Sequence, residues 1–128
     1  MKLAALAALL LPLSYCTIDQ PGAGLPCSEW AKPALANGWT EADLPRLLPI
    51  IHRESRCNPD AIRYGTSRTR PADVGLLQIN QIHRPTLRRI GLTHLDMTNP
   101  ELNLQFGRWL FDWHKSRGLN PWAPWNVR

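Results

Sequence analysis

Leu44, Leu47, Leu48 and Ile51 recur at steps of three and four, the spacing that lines up side chains on one face of an α-helix. Glu54 falls at the next step of that stripe, within Ile50-Ile51-His52-Arg53-Glu54-Ser55-Arg56. Arg46 and Arg53 fall on a different side, expected to be solvated. Thr40 can cap this helix, with Asp43 in capping-box position. Pro45 suits the first turns, Pro49 lies mid-helix and predicts a kink, and Asn58-Pro59 ends the element. An earlier helix signal covers 28–37 and stops at Gly38. A short helix is expected over 83–90, ending at Gly91. Asn99-Pro100-Glu101 starts another, with Asn as cap, Pro in the first position and Glu at the positive end. It should run to Arg117 and stop at Gly118. The stretch 61–72, with Gly65 and Pro71 and no periodicity, reads as a mobile loop. The apolar run 74–79 is compatible with strand or helix. The tail 120–126 reads as extended and aromatic. With no internal repeat and no long alternating run, the class is mainly α.

The 128 residues suffice for one small domain. With 44% hydrophobic and 20% charged residues, a packed core is feasible. Leu3 to Leu11 is almost wholly Leu and Ala, follows Lys2 and ends at Pro12. That stretch is too short to span a bilayer and suits the apolar part of an export signal. The expected organisation is a signal or N-terminal anchor over 1–16, a linker over 17–26 rich in Pro and Gly, and one domain over 27–128. Export places the chain in the periplasm, the cell envelope or outside the cell, where disulfides persist. Of three cysteines, Cys16 sits at the end of the signal, leaving Cys27 and Cys57 as the natural pair. Their bridge would close a loop of about thirty residues and contribute roughly 3 kcal/mol. Cys16 has three open fates: lipidation at a site loosely like that of bacterial lipoproteins, removal with the signal, or a thiol on a retained anchor. Membrane attachment through Cys16 or the N-terminal segment therefore stays open.

The net charge of +5 favours anionic partners such as nucleic acid, acidic lipid or an anionic cell wall. The arginines are spread out rather than packed in a basic block, and no nucleic-acid motif accompanies them, so no nucleic-acid partner is expected. Arg84, Arg88 and Arg89 lie along one short segment, either as a solvated face or as a contact for anionic wall polymers. His52, His83, His94 and His114 lack metal-ligand spacing, so neither a metal nor another cofactor is expected. Among six Trp, Trp30 and Trp39 are expected in the core. So is the stripe Phe106, Trp109 and Trp113, in preference to a glycan platform.

Glu54 is the candidate for the chemistry. Exposed carboxylates are the norm, and the stripe alone favours a side chain that reaches water or pairs with Arg53 or Arg56. A carboxyl group held on an apolar face instead loses water, which disfavours its charged form, and a protonated acid is what general-acid catalysis needs. Four segments then line up: Glu54-Ser55-Arg56-Cys57-Asn58-Pro59-Asp60-Ala61, Gly75-Leu76-Leu77-Gln78-Ile79-Asn80, Asn99-Pro100-Glu101-Leu102-Asn103-Leu104-Gln105-Phe106-Gly107, and the Trp-rich tail. Their order resembles the soluble lytic transglycosylase family, whose catalytic domain is a lysozyme-like α-helical fold with a glycan-binding groove. The resemblance covers residues 27–126 and is nearest to small actinobacterial or phage-encoded members.

The resemblance implies that Glu54 is the single catalytic acid/base and that Ser55 helps place the glycan and the acid. It implies that Gln78 lines the groove and that Asn103 faces the acid and the sugar. Leu77 stands where the family has Met. A Tyr usual near the domain end has no counterpart; Trp122 and Trp125 occupy that stretch and are carried as sugar-binding candidates. The implied partner is the glycan strand of peptidoglycan, cut by a monomer at the β-1,4 bond between N-acetylmuramic acid and N-acetylglucosamine, leaving 1,6-anhydro ends. The rival is hydrolysis, in which Asp73, just before Gly75, assists a water; Asp60 is a weaker candidate that more readily serves a turn. A non-catalytic wall-binding module is the third reading.

Overall fold

The computed structural model describes residues 20–126. The expected signal and Cys16 lie outside the described residues. From 20 on, the stretch expected as a linker runs in turns against the domain: Leu25 packs on the core, and Gly22 lies so close to Leu48 and Ala31 that a Cβ there would meet Leu48 at 2.7 Å.

Among the described residues five helices carry the domain: α1 (Ala31–Ala36), α2 (Leu44–Ser55), α3 (Arg84–Arg89), α4 (Pro100–Ser116) and α5 (Ala123–Asn126). Short 3-10 turns precede or join them at Ser28–Trp30, Glu41–Asp43, Gln81–His83 and His94–Thr98. Thr40 and Asp43 form the expected capping box, and α2 continues through Pro49 to Ser55. Its buried residues include Leu44, Leu47, Leu48 and Ile51, as the stripe requires. Asn99 caps α4 through the N–H groups of Glu101 and Leu102.

Two segments depart from the reading of the sequence. Part of the stretch expected as a mobile loop is β1 (Ile62–Arg63), paired antiparallel with β2 (Asp73–Val74), which pairs in turn with β3 (Ile79–Asn80). The apolar run is thus two strand ends joined by a turn in which Gly75 and Gln78 have positive φ. Strands of two residues are too short to show alternation, so periodicity could not reveal them. The tail is not extended but ends in α5, and its aromatic rings drive the fold inward.

There Trp122 and Trp125 join Trp39 and Phe111 in one cluster. Trp39 stacks on Trp122 with ring centroids 5.7 Å apart, and Phe111 meets Trp122 edge-on at 4.9 Å. Such pairs add to the area they bury. Trp39 donates its indole N–H to the Leu104 carbonyl at 2.9 Å, joining the cluster to α4. Trp109 and Trp113, expected in the core, are instead 45% and 38% exposed. The inward face of α4 is taken by Asn103, Leu104, Phe106, Gly107, Leu110 and Phe111, which leaves those two rings on its outer side.

Candidate active site

Glu54 sits in the last turn of α2. Its side chain is 5% exposed, and Oε1 lies 3.1 Å from Nη2 of Arg53. The apolar-face reading and the arginine-pairing reading are therefore both realised. The helix ends immediately afterwards, because Arg56 and Cys57 both adopt left-handed backbone. Non-glycine residues hold that conformation only when their surroundings over-determine it. Here the Cys27–Cys57 disulfide, with Cα atoms 5.3 Å apart, and the indole of Trp30, which donates to the Cys57 carbonyl at 2.9 Å, supply the restraint. The chain leaves through an Asx turn in which the Asn58 side chain accepts the Asp60 N–H at 2.9 Å. Asp60 itself is exposed.

A chain of hydrogen bonds connects the acid to the other motif segments. Arg53 also donates to the Trp125 carbonyl. Trp125 donates its indole N–H to the Leu77 carbonyl at 3.0 Å. The Leu77 N–H donates to Oδ1 of Asn103 at 3.0 Å. Asn103 is fully buried, and its amide donates to the carbonyls of Val74 and Met97 at 3.1 and 2.9 Å. Gly75 is obligatory at the head of this turn: a Cβ there would lie 2.0 Å from the Met97 carbonyl oxygen. Gly107 lets α4 approach the same turn, since its Cβ would meet Leu77 at 2.3 Å.

The other expected site residues face inward too. Ser55 Oγ donates to the Ile51 carbonyl at 3.0 Å and is buried. The Gln78 amide donates to the carbonyls of Ala61 and Gly75, both at 3.0 Å. Asp73 is fully buried, pairs with Arg63 and accepts from the Asn80 amide at 2.9 Å. Trp122 and Trp125 are buried in the aromatic cluster, so they do not offer the open faces that stacking on a sugar requires. The sequence offers Arg53 as a partner for Glu54 on a solvated side, but not its second bond to the tail. Its link to the tail has no sequence signal, because the carbonyl it binds lies 72 residues away. Arg46 reaches the same tail, bonding the Asn126 side chain at 3.2 Å and lying over the Trp122 ring.

Two histidines stand in altered surroundings. Burial, then the nearby His114 and His94, holds His83 below its ordinary value of 6.5. Burial lowers His94 as well, and Arg84 reinforces it, while the Ile79 carbonyl and Asp73 act in the opposite sense.

A buried carboxylate at the end of a core helix, linked through Arg53 and Trp125 to a glycine-headed turn and an asparagine of a long helix, defines a lysozyme-like α-helical domain. The Transglycosylase SLT domain matches residues 34–126, and the chain belongs to that family. Its activity is accordingly of the lytic-transglycosylase type, on peptidoglycan. Neither the curated proteins nor the solved structures compared with the chain give a match.

Proposed function

We propose that this protein is an exported peptidoglycan lytic transglycosylase that cuts the β-1,4 bond between N-acetylmuramic acid and N-acetylglucosamine, with Glu54 as its single acid/base. Glu54 in its acid form gives its proton to the glycosidic oxygen as the bond breaks, releasing the N-acetylglucosamine side with a free hydroxyl. Positive charge develops at the anomeric carbon of the muramic sugar, where the acetamido group can shelter it. Glu54, now a carboxylate, takes the proton of that sugar's 6-hydroxyl, whose oxygen closes the 1,6-anhydro ring. The proton balance closes on one carboxylate, and no water is consumed.

The observation that carries this reading is the burial of the Glu54 side chain at the end of α2, inside the matched segment. Hydrolysis calls for a second carboxylate addressing water. Asp73 is engaged with Arg63 and Asn80, which favours the internal 6-hydroxyl over water. Ser55, Gln78 and Asn103 serve the reaction by holding the backbone of the groove rather than by reaching the sugar with their own polar ends. Export is supported by the disulfide and by the apolar run near the N-terminus.

Mass spectrometry of digested sacculi tests the outcome. Muropeptides with 1,6-anhydro ends are expected. Reducing ends would replace this reading with a hydrolase, and unchanged sacculi with a wall-binding module.

A further inference from the structure

Arg84 and Arg88 lie four apart on α3 and so share one of its faces. After α3 the chain turns at Gly91, in left-handed conformation, and brings Thr93 and His94 back toward that face. With Leu92 and Leu95 these side chains line a cavity of about 240 Å³. A water molecule occupies roughly 30 Å³ of liquid, so a small polyatomic ion fits there with part of its hydration. None of the six lining residues belongs to the set assigned to glycan cleavage.

His94 is 7% exposed. One ring nitrogen, Nε2, lies 2.6 Å from the Ile79 carbonyl. A carbonyl only accepts, so Nε2 carries the hydrogen and the neutral ring presents Nδ1 as a bare lone pair. Among the described residues, Nδ1 is the buried side-chain polar atom that has no hydrogen-bond partner. Such an atom in a native fold calls for a ligand, an ion or a strain role. The cavity that His94 lines is also lined by Arg84, Arg88 and Thr93. The Thr93 oxygen accepts the Asp96 N–H in a capping box, which leaves the hydroxyl hydrogen able to donate. Arg84 is anchored by a bond to the Pro71 carbonyl, so its position does not depend on a ligand.

We propose that this cavity is an oxyanion-binding site in which Arg84, Arg88, the Thr93 hydroxyl and His94 Nδ1 hold a phosphate, sulfate or carboxylate group. The guanidinium fork matches the geometry of such groups. For Nδ1 to meet a fully ionised oxygen it must first gain a proton and become a donor. Anion binding is then coupled to proton uptake at His94. The charged and titratable groups around that ring are Arg84 on α3, Asp73 on β2 and His83 in the turn before α3. In the free protein, burial and Arg84 keep His94 neutral into mildly acidic conditions. An anion seated against the ring opposes both effects, so affinity rises as pH falls.

Sulfate is the cleanest probe, because it stays a dianion across the range in which histidine titrates. Titrating the isotope-labelled full chain with sulfate, while following the His94 ring nitrogens by NMR, should give a saturable shift of Nδ1. Binding should tighten several-fold between about pH 8 and about pH 6. Arg88 is exposed, and Arg88→Glu should fold normally yet weaken binding at least about tenfold. No saturable shift at His94, or equal affinity in Arg88→Glu, would overturn the site; a pH-independent affinity would overturn the part given to His94. A glycerol-phosphate oligomer and a polyglucuronate then separate the sources. Competition by the first identifies a phosphodiester polymer, competition by the second a carboxylate polymer, and competition by neither a free oxyanion as the ligand.

Discussion

The side-chain oxygen of Asn103 on α4 accepts the backbone N–H of Leu77 at 3.0 Å, and this single contact fastens the glycine-headed turn to the helix that crosses behind it. The same amide group satisfies two further carbonyls, those of Val74 and Met97. Asn103→Ala leaves three buried backbone groups unsatisfied, and should destabilise the domain by on the order of 3 kcal/mol or more. Urea unfolding measures it. A variant as stable as the parent would return Asn103 to a role directed at the glycan.

Gly75→Ala should be more damaging than its size suggests. The residue has φ +83, and the added carbon would collide with the Met97 carbonyl and the Asn103 amide. Strain and overpacking together predict a loss of at least about 3 kcal/mol. Thermal melts should show it, while Gly118→Ala, with nothing within 4 Å of the added carbon, should lose far less.

Glu54→Gln keeps the shape of the side chain and removes the proton that the reaction moves. Clearance of a cell-wall suspension should fall by at least about 100-fold, while sedimentation with the walls persists. Clearance at the parental rate would remove Glu54 from the chemistry.

Opening the Cys27–Cys57 bridge should cost roughly 3 kcal/mol by the chain-entropy estimate for a separation of 30 residues. It also frees the left-handed pair Arg56 and Cys57 that ends the helix behind Glu54. Paired Cys27→Ser and Cys57→Ser changes should therefore lower turnover as well as stability, even at temperatures where the variant is fully folded by circular dichroism. Full turnover in the folded variant would confine the bridge to stability.

Stability should decline in acid through His83. Its folded value lies below the ordinary 6.5, so between the two values the unfolded chain binds more protons and stability rises with pH. The penalty is absent well above 6.5 and grows as pH drops through that window. Urea midpoints at about pH 7.5 and about pH 5 should differ less in His83→Gln than in the parent.

Much of the domain was legible along the chain. The leucine stripe of α2, the Thr40 capping box and the Asn99-Pro100 start are local signals, written in residues three or four apart, and the structure keeps them. The tail misled because Trp122 and Trp125 are equally suited to a sugar face and to a core; their partners, Trp39 and Phe111, lie far away in sequence. Trp109 and Trp113 misled in the reverse sense. Their spacing marks a helical face but not which way that face turns.

The sequence by itself determined the helices other than α5, the cysteine pair and the order of motifs that puts Glu54 at the end of a core helix, because each rests on short-range periodicity, chain chemistry or segment order. Only the tertiary structure decided that Arg53 binds both the acid and the Trp125 carbonyl, that Asp73 is engaged with Arg63 and Asn80, and that His94 lines a cavity with two arginines. Those relationships join groups that meet only when the helices pack, and no local pattern encodes a partner that the fold alone brings near.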